Sequence, residues 1–183
     1  MTNPRLSRLT RDYEKLQELA ARSPFISIRA MEGTPPEKYV LHLTCKGITQ
    51  LQNGEPIYSE SHQLGIYLHQ DYPRKGPRFE MLTPIYHPNI AQNGQICMGE
   101  TGDHGFAPSM PLDDLVIRIV NIIRYENIGL NAPFNLLAAR WAQEHRALFP
   151  VDTRPLLRPE ILEDIQVFEL DNTSDILEEI IIY

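Results

Sequence analysis

The sequence predicts an α+β domain: an N-terminal helix, an antiparallel meander of about four strands, a long irregular segment and C-terminal helices. Three observations predict it. Apolar residues recur every three or four positions over the first 22 residues, strand-like runs separated by turn residues occupy 25–69, and helical periodicity returns after Pro111. Helices that flank a run of strands, instead of alternating with them, give the α+β class.

Leu6, Leu9, Tyr13, Leu16 and Leu19 form the apolar stripe of the first helix, and Pro4 after Asn3 suits its first turn. Its outer face carries Arg5, Arg8, Arg11, Lys15 and Arg22, a solvated face or a docking surface for an acidic partner. Strands are expected over 25–31, 38–46 and 62–69, where β-branched and aromatic residues cluster. Alternation puts Leu41, Leu43 and Cys45 on one face of the second, so Cys45 is a core residue. Turns fall at 33–36 and at Gln52-Asn53-Gly54-Glu55. Between 71 and 111 the prolines at 73, 77, 84, 88, 108 and 111 leave room for one short strand near 78–82. A structureless stretch of this length inside a compact domain tends to carry function. Pro111 opens an apolar helix with Asp113 and Asp114 in its first turn, and a second helix is expected over 133–147, carrying Leu136, Leu137, Ala138, Trp141 and Leu148, with Trp141 as a core residue. Another short helix is expected after Pro159.

The chain has 183 residues and a formal charge of −7. Residues 1–150 hold 15 basic and 15 acidic side chains and residues 151–183 hold 2 and 9, so the imbalance lies after Pro150. The first division is therefore a domain at 1–150 and an acidic C-terminal extension at 151–183. An acidic chain without a run of basic residues is a poor nucleic-acid binder. Two cysteines make no disulfide framework, the opening MTNPRLSRLT lacks a secretory core, and no apolar run could span a bilayer. The expectation is a cytoplasmic protein with reduced thiols and no membrane partner. Without Cys-x-x-Cys or His-Glu-x-x-His, neither metal nor cofactor is expected.

The irregular segment contains Tyr86-His87-Pro88-Asn89-Ile90, followed by Asn93-Gly94-Gln95-Ile96-Cys97, with Asn89 eight positions before the cysteine. Upstream stands Tyr72-Pro73-Arg74-Lys75-Gly76-Pro77. These elements and their order resemble the ubiquitin-conjugating enzymes, which carry ubiquitin as a cysteine thioester. The resemblance covers about residues 4–149. It implies a UBC-like fold and a carrier enzyme whose Cys97 accepts a ubiquitin or ubiquitin-like protein from an activating enzyme and passes it to a lysine of a protein target.

The residue types suit acyl transfer. A thiol exchanges with a thioester, and attack of an amine then creates an oxyanion that needs a donor, which the Asn89 amide can supply. Asn89 can equally brace the loop, and the two roles are compatible. Tyr86, His87 and Pro88 support the segment. His87 as a base for Cys97 would make a Cys/His hydrolase, but Gln95, Ile96, Met98, Glu100 and Asp103 offer no fixed positive charge to activate the thiol for attack on an amide. The resemblance also gives His87 a structural part. A third class, a non-catalytic adaptor of the same fold, lacks the cysteine that this chain has.

The acceptor lysine in the family is helped by an acidic residue before the last core helix. Glu126, Asn127 and Asn131 are the candidates there, with Glu100 and Asp103 opposite. The resemblance makes Arg5, Arg8 and Arg11 candidates for meeting the activating enzyme, and Arg74, Phe106 and Pro108 candidates for the ligase surface. Three departures stand out: Gly76 replaces a proline, Arg74 an apolar anchor, and Phe106-Ala107-Pro108 a Trp-Ser-Pro run. A charge at 74 weakens docking of a conventional ligase. Such departures resemble bacterial relatives from ubiquitin-like conjugation operons, many of them antiviral, where a separate ligase is not always required.

Overall fold

The computed structural model describes residues 3–98 and 106–158. The expected helix after Pro159, Glu100, Asp103 and most of the acidic extension lie outside the described residues.

Helix α1 spans Pro4–Arg22, capped by Asn3, whose side chain accepts from the Arg5 N–H. Four strands form one antiparallel sheet in the order β1 (Ile26–Gly33), β2 (Pro36–Leu43), β5 (His62–Tyr67), β6 (Arg78–Met81). These are the four strands expected. A separate hairpin, β3 (Gly47–Gln52) and β4 (Glu55–Ser59), lies between β2 and β5 and was not expected. Asn53-Gly54, both at positive φ, is its tip and not a link between sheet strands. Helix α2 covers Leu112–Ile123, and α3 covers Leu136–Glu144. The last helix starts later than expected because Asn135 caps it, accepting from the Ala138 N–H at 3.0 Å. Leu136 and Leu137 in its first turn are 68% and 61% exposed, while Trp141 is buried as expected.

Two apolar clusters hold the molecule. The larger packs α1 (Leu9, Leu16, Leu19) and α2 (Leu115, Ile119, Val120) onto the inner sheet face of Leu41, Leu43, Leu64 and Ile66, with Cys45 among them. Burial pushes the Cys45 thiol up to about 12, which keeps it an inert thiol. The smaller gathers Ile48, Tyr125, Trp141 and Ala142. The packed body does not stop at Pro150. Leu156 and Leu157 lie on the main core, and the Arg158 N–H donates to the Arg22 carbonyl at 2.9 Å. Residues 1–158 hold 17 basic and 16 acidic side chains, leaving none and 8 for 159–183.

Candidate active site

The segment from Tyr86 to Cys97 runs between the two clusters and is fastened at both ends. The Tyr86 N–H donates to the Ile48 carbonyl on β3 at 2.7 Å, and its ring meets Trp141 edge-on. The Asn135 N–H donates to the Pro88 carbonyl at 3.0 Å. From Ile90 the chain makes a closed excursion. Ala91 N–H donates to Gln95 O and Gly94 N–H to Ala91 O, each at 2.9 Å. Gly94 sits at φ +86°, where a Cβ would stand 2.3 Å from the Met81 carbonyl oxygen, so only glycine fits. The excursion ends with the Cys97 N–H on the Asn89 carbonyl at 2.8 Å. This is the physical content of the eight-residue spacing: a small loop leaves at Asn89 and returns Cys97 to its side.

The Asn89 side chain, 7% exposed, accepts from the Gly129 N–H at 2.8 Å through Oδ1. That bond fixes which end of the amide is oxygen, and so assigns Nδ2 as the remaining donor. A Cβ on Gly129 would stand 2.7 Å from Nδ2, so the bare glycine backbone is what lets the amide lie there.

His87 is fully buried, and its Nδ1 accepts from the Asn89 N–H at 3.0 Å. Its Nε2 has no hydrogen-bond partner among the described residues. Burial pushes its pKa down to about 3, so the ring is neutral at physiological pH. The ring packs edge-on against Tyr125 at 4.4 Å. Tyr125 follows the last turn of α2 at φ +59°, an uncommon conformation for a residue with a Cβ. Its hydroxyl donates to the Tyr86 carbonyl and its ring meets Phe149, so the strained residue ties α2 to the segment's entrance.

Cys97, 9% exposed, and Asn89 line a cleft of about 580 Å³ with Met98, Arg118, Ile122, Glu126, Asn127, Ile128 and Gly129. Of the expected acceptor-side residues, Glu126 and Asn127 line it. Asn131 is exposed and does not. Arg118, on α2, donates to the Met98 carbonyl at 2.7 Å, the residue directly after Cys97. The cleft therefore holds a fixed positive charge that the residues next to Cys97 in sequence do not supply. Arg118, Tyr125 and Gly129 were all missed by sequence reasoning. Only Tyr125 left a signal, an apolar helix that ends without glycine.

The expected partner-facing residues divide. Arg11 and Arg74 are exposed, the latter beside Asp71 at 3.6 Å. Arg5 pairs with Glu37 at 3.0 Å and keeps part of its surface. Arg8 is not on the outer face. Its side chain is 9% exposed and donates to buried Asp12 at 2.7 Å, to the Tyr72 hydroxyl at 2.9 Å and to the carbonyls of Pro108 and Met110. Phe106 is also turned inward. It tilts against Tyr72 and covers Gly76, whose absent Cβ would stand 2.9 Å from the ring, while Pro108 is exposed.

Among the described residues no group of His, Cys, Asp and Glu side chains could hold a metal ion, and no helix is long and apolar enough to cross a membrane.

The family model described as ubiquitin-conjugating enzyme matches residues 8–154, and the chain belongs to that family. It is 29% identical over 146 residues to ubiquitin-conjugating enzyme E2 1 of Caenorhabditis elegans, covering 80% of this chain and 70% of that one. To ubiquitin-conjugating enzyme E2 S of Drosophila ananassae it is 28% identical, over 59% of this chain and 54% of that one, so it spans about half of that relative's length. A crystal structure of a Plasmodium yoelii protein assigned to the ubiquitin conjugating enzymes superposes with a TM-score of 0.57 at 20% identity, over 82% of this chain and 90% of that one. At that identity the likeness concerns the fold.

Proposed function

We propose that the chain is an active carrier: Cys97 takes the C-terminal glycine of a ubiquitin or ubiquitin-like protein as a thioester and delivers it to a lysine. The observation that carries this reading is the return of Cys97 onto Asn89 in one cleft, with the Asn89 amide held by Gly129.

In loading, the Cys97 sulfur bonds to the glycine carbonyl carbon, the bond to the activating enzyme's sulfur breaks, and the thiol proton passes to the departing thiolate. In transfer, a neutral lysine amine bonds to the same carbon. The Asn89 Nδ2–H donates to the oxyanion, the carbon–sulfur bond to Cys97 breaks, and the extra amine proton leaves for solvent or for Glu126. Exposed Arg11 and half-exposed Arg5 on α1 offer the activating enzyme a basic face, and Glu126 and Asn127 stand where the acceptor amine approaches. A Cys/His hydrolase is disfavoured by a buried neutral His87 whose Nδ1 holds the Asn89 amide.

The test is incubation with an activating enzyme, ATP and a ubiquitin-like protein, resolved with and without reductant. A reductant-sensitive adduct is expected, lost in Cys97→Ala and kept in Cys45→Ala. Absence of an adduct with every cognate pair would sink the reading.

A further inference from the structure

Arg124, the residue that ends α2, has no part in the transfer chemistry described above. It is a cation only 3% exposed, and one of its nitrogens makes contacts with two different segments. Nη2 meets the Glu126 carboxylate at 2.9 Å, at the cleft that holds Cys97, and donates to the Arg154 carbonyl at 3.1 Å, in the segment after Pro150. The Phe25 ring lies under both guanidinium groups, 5.4 Å from that of Arg124 and 4.8 Å from that of Arg154. Arg154 is itself held by the Asp152 carboxylate. Beyond it, the Leu156 carbonyl accepts from the Ser23 hydroxyl at 2.8 Å. Glu126 lines both the Cys97 cleft and a second hollow of about 450 Å³ formed with residues 152–157.

We propose that residues 152–157 belong to the catalytic apparatus, with Arg124 as the positioning residue that holds the Glu126 carboxylate at the cleft edge. The inference rests on the carrier reading above. An exposed glutamate after a helix end samples several rotamers, whereas one tied to a buried guanidinium presents its second oxygen in one direction. That oxygen orients the incoming ammonium and accepts its first proton, which passes on to solvent; the amine nitrogen then bonds to the thioester carbon, the carbon–sulfur bond breaks, and the second amine proton goes to the departing Cys97 thiolate. The guanidinium is itself held by the Arg154 carbonyl and the Phe25 ring. A segment outside the motif-bearing region is thus coupled to the site through one side chain.

The experiment uses the full chain loaded with a ubiquitin-like protein, discharged in single turnover to free lysine and, separately, to hydroxylamine. Hydroxylamine is neutral at pH 7 and needs no carboxylate to deprotonate it. Arg124→Met and Glu126→Gln should each slow discharge to lysine by roughly 10-fold, since a displaced catalytic group costs up to about 10² in rate. Combined, they should be no slower than either alone, and loading and hydroxylamine discharge should change by less than about twofold. Arg124→Lys should recover part of the loss, because an ammonium keeps the charge without the fork. Should Arg124→Met fail to fold, the cycle of Arg124→Lys with Glu126→Gln carries the same test. Losses that multiply in the double variant, or that are equal for hydroxylamine and lysine, overturn the proposal. A wild-type chain that takes no adduct overturns the carrier reading and this one together.

Discussion

Asn89 has two ends with separable tasks, and two substitutions divide them. Its Oδ1 accepts from the Gly129 N–H at 2.8 Å, which fastens the cleft wall, and its Nδ2 is the donor available to an oxyanion on the Cys97 thioester. Asn89→Asp keeps an oxygen for Gly129 and loses the donor; Asn89→Ala loses both. The brace is one hydrogen bond to an exposed backbone amide that water can replace, so alanine should cost about 1 kcal/mol, or roughly 2–4 °C in Tm. Aspartate should melt close to wild type. Rate follows the other end. Loss of an oxyanion donor costs roughly 10²–10³, about 2.7–4 kcal/mol of barrier, and a carboxylate there repels the developing charge as well. Discharge to lysine should therefore be slowed at least as much by aspartate as by alanine, while stability runs in the opposite order. Thermal melts and single-turnover discharge, with loading rate as control, read both. If aspartate discharges near the wild-type rate and alanine does not, Asn89 is a brace alone and the donor argument fails.

Two further outcomes follow from buried charge. Burial holds His87 at about 3 against the ordinary 6.5, so below pH 6.5 the unfolded chain takes up a proton that the folded chain refuses. Stability is intact above that pH and falls by about 1.4 kcal/mol per pH unit below it. His87→Asn should remove that slope in denaturant melts at pH 7, 6 and 5, and leave the pH profile of lysine discharge between 6 and 8 unmoved. A profile that shifts would return His87 to the chemistry. Arg8→Met leaves the Asp12 carboxylate at zero exposure with the Tyr72 hydroxyl, at 2.5 Å, still donating to it. Urea unfolding should show a loss of about 3–5 kcal/mol, the cost of stranding a buried charge, and a loss below about 1 kcal/mol would mean a surface pair instead.

What could be read from the sequence was local. The stripe of α1 from Leu9 to Leu19 and the four sheet strands follow from neighbours within a few residues and emerged where expected, whereas Leu6 at the start of that stripe is 49% exposed. The hairpin of β3 and β4 was missed although Asn53-Gly54 marks its tip, because its strands are short and the turn was assigned to the larger sheet. Leu136 and Leu137 lie on the exposed side of α3 because the Asn135 side-chain cap and the Asn135 N–H bond to the Pro88 carbonyl set how that helix starts. Arg118 and Gly129 reach the cleft over 20 and 40 residues of chain, through α2 and the loop beyond it. No pattern in the residues near Cys97 encodes them. The segment 151–158, which holds Asp152, Arg154 and Arg158, reaches back to the body through Leu156, Leu157 and the Arg158 N–H.

The departures at Gly76 and Phe106 are best understood together with the buried Arg8. Phe106 can lie over the Tyr72-to-Pro77 segment because Gly76 has no Cβ; any other residue at 76 would meet the ring at about 2.9 Å. Seated there, Phe106 tilts against Tyr72, whose hydroxyl donates to Asp12 on α1. Arg8 closes the circuit by holding Asp12, the Tyr72 hydroxyl and the carbonyls of Pro108 and Met110 at once. Helix α1, the Tyr72 loop and the start of the 106–110 loop thus form one cross-braced unit. In that unit an arginine expected on the surface and an aromatic expected as a docking anchor both serve as internal fastenings. Of the residues expected to face a partner, those that remain accessible are Arg74 and Pro108 at the loops and Arg5 and Arg11 along the helix. On the carrier reading proposed above, a ligase that needs an apolar anchor would find a charge at 74 and a covered ring at 106, and its recognition of this face would rest on shape and polar contacts.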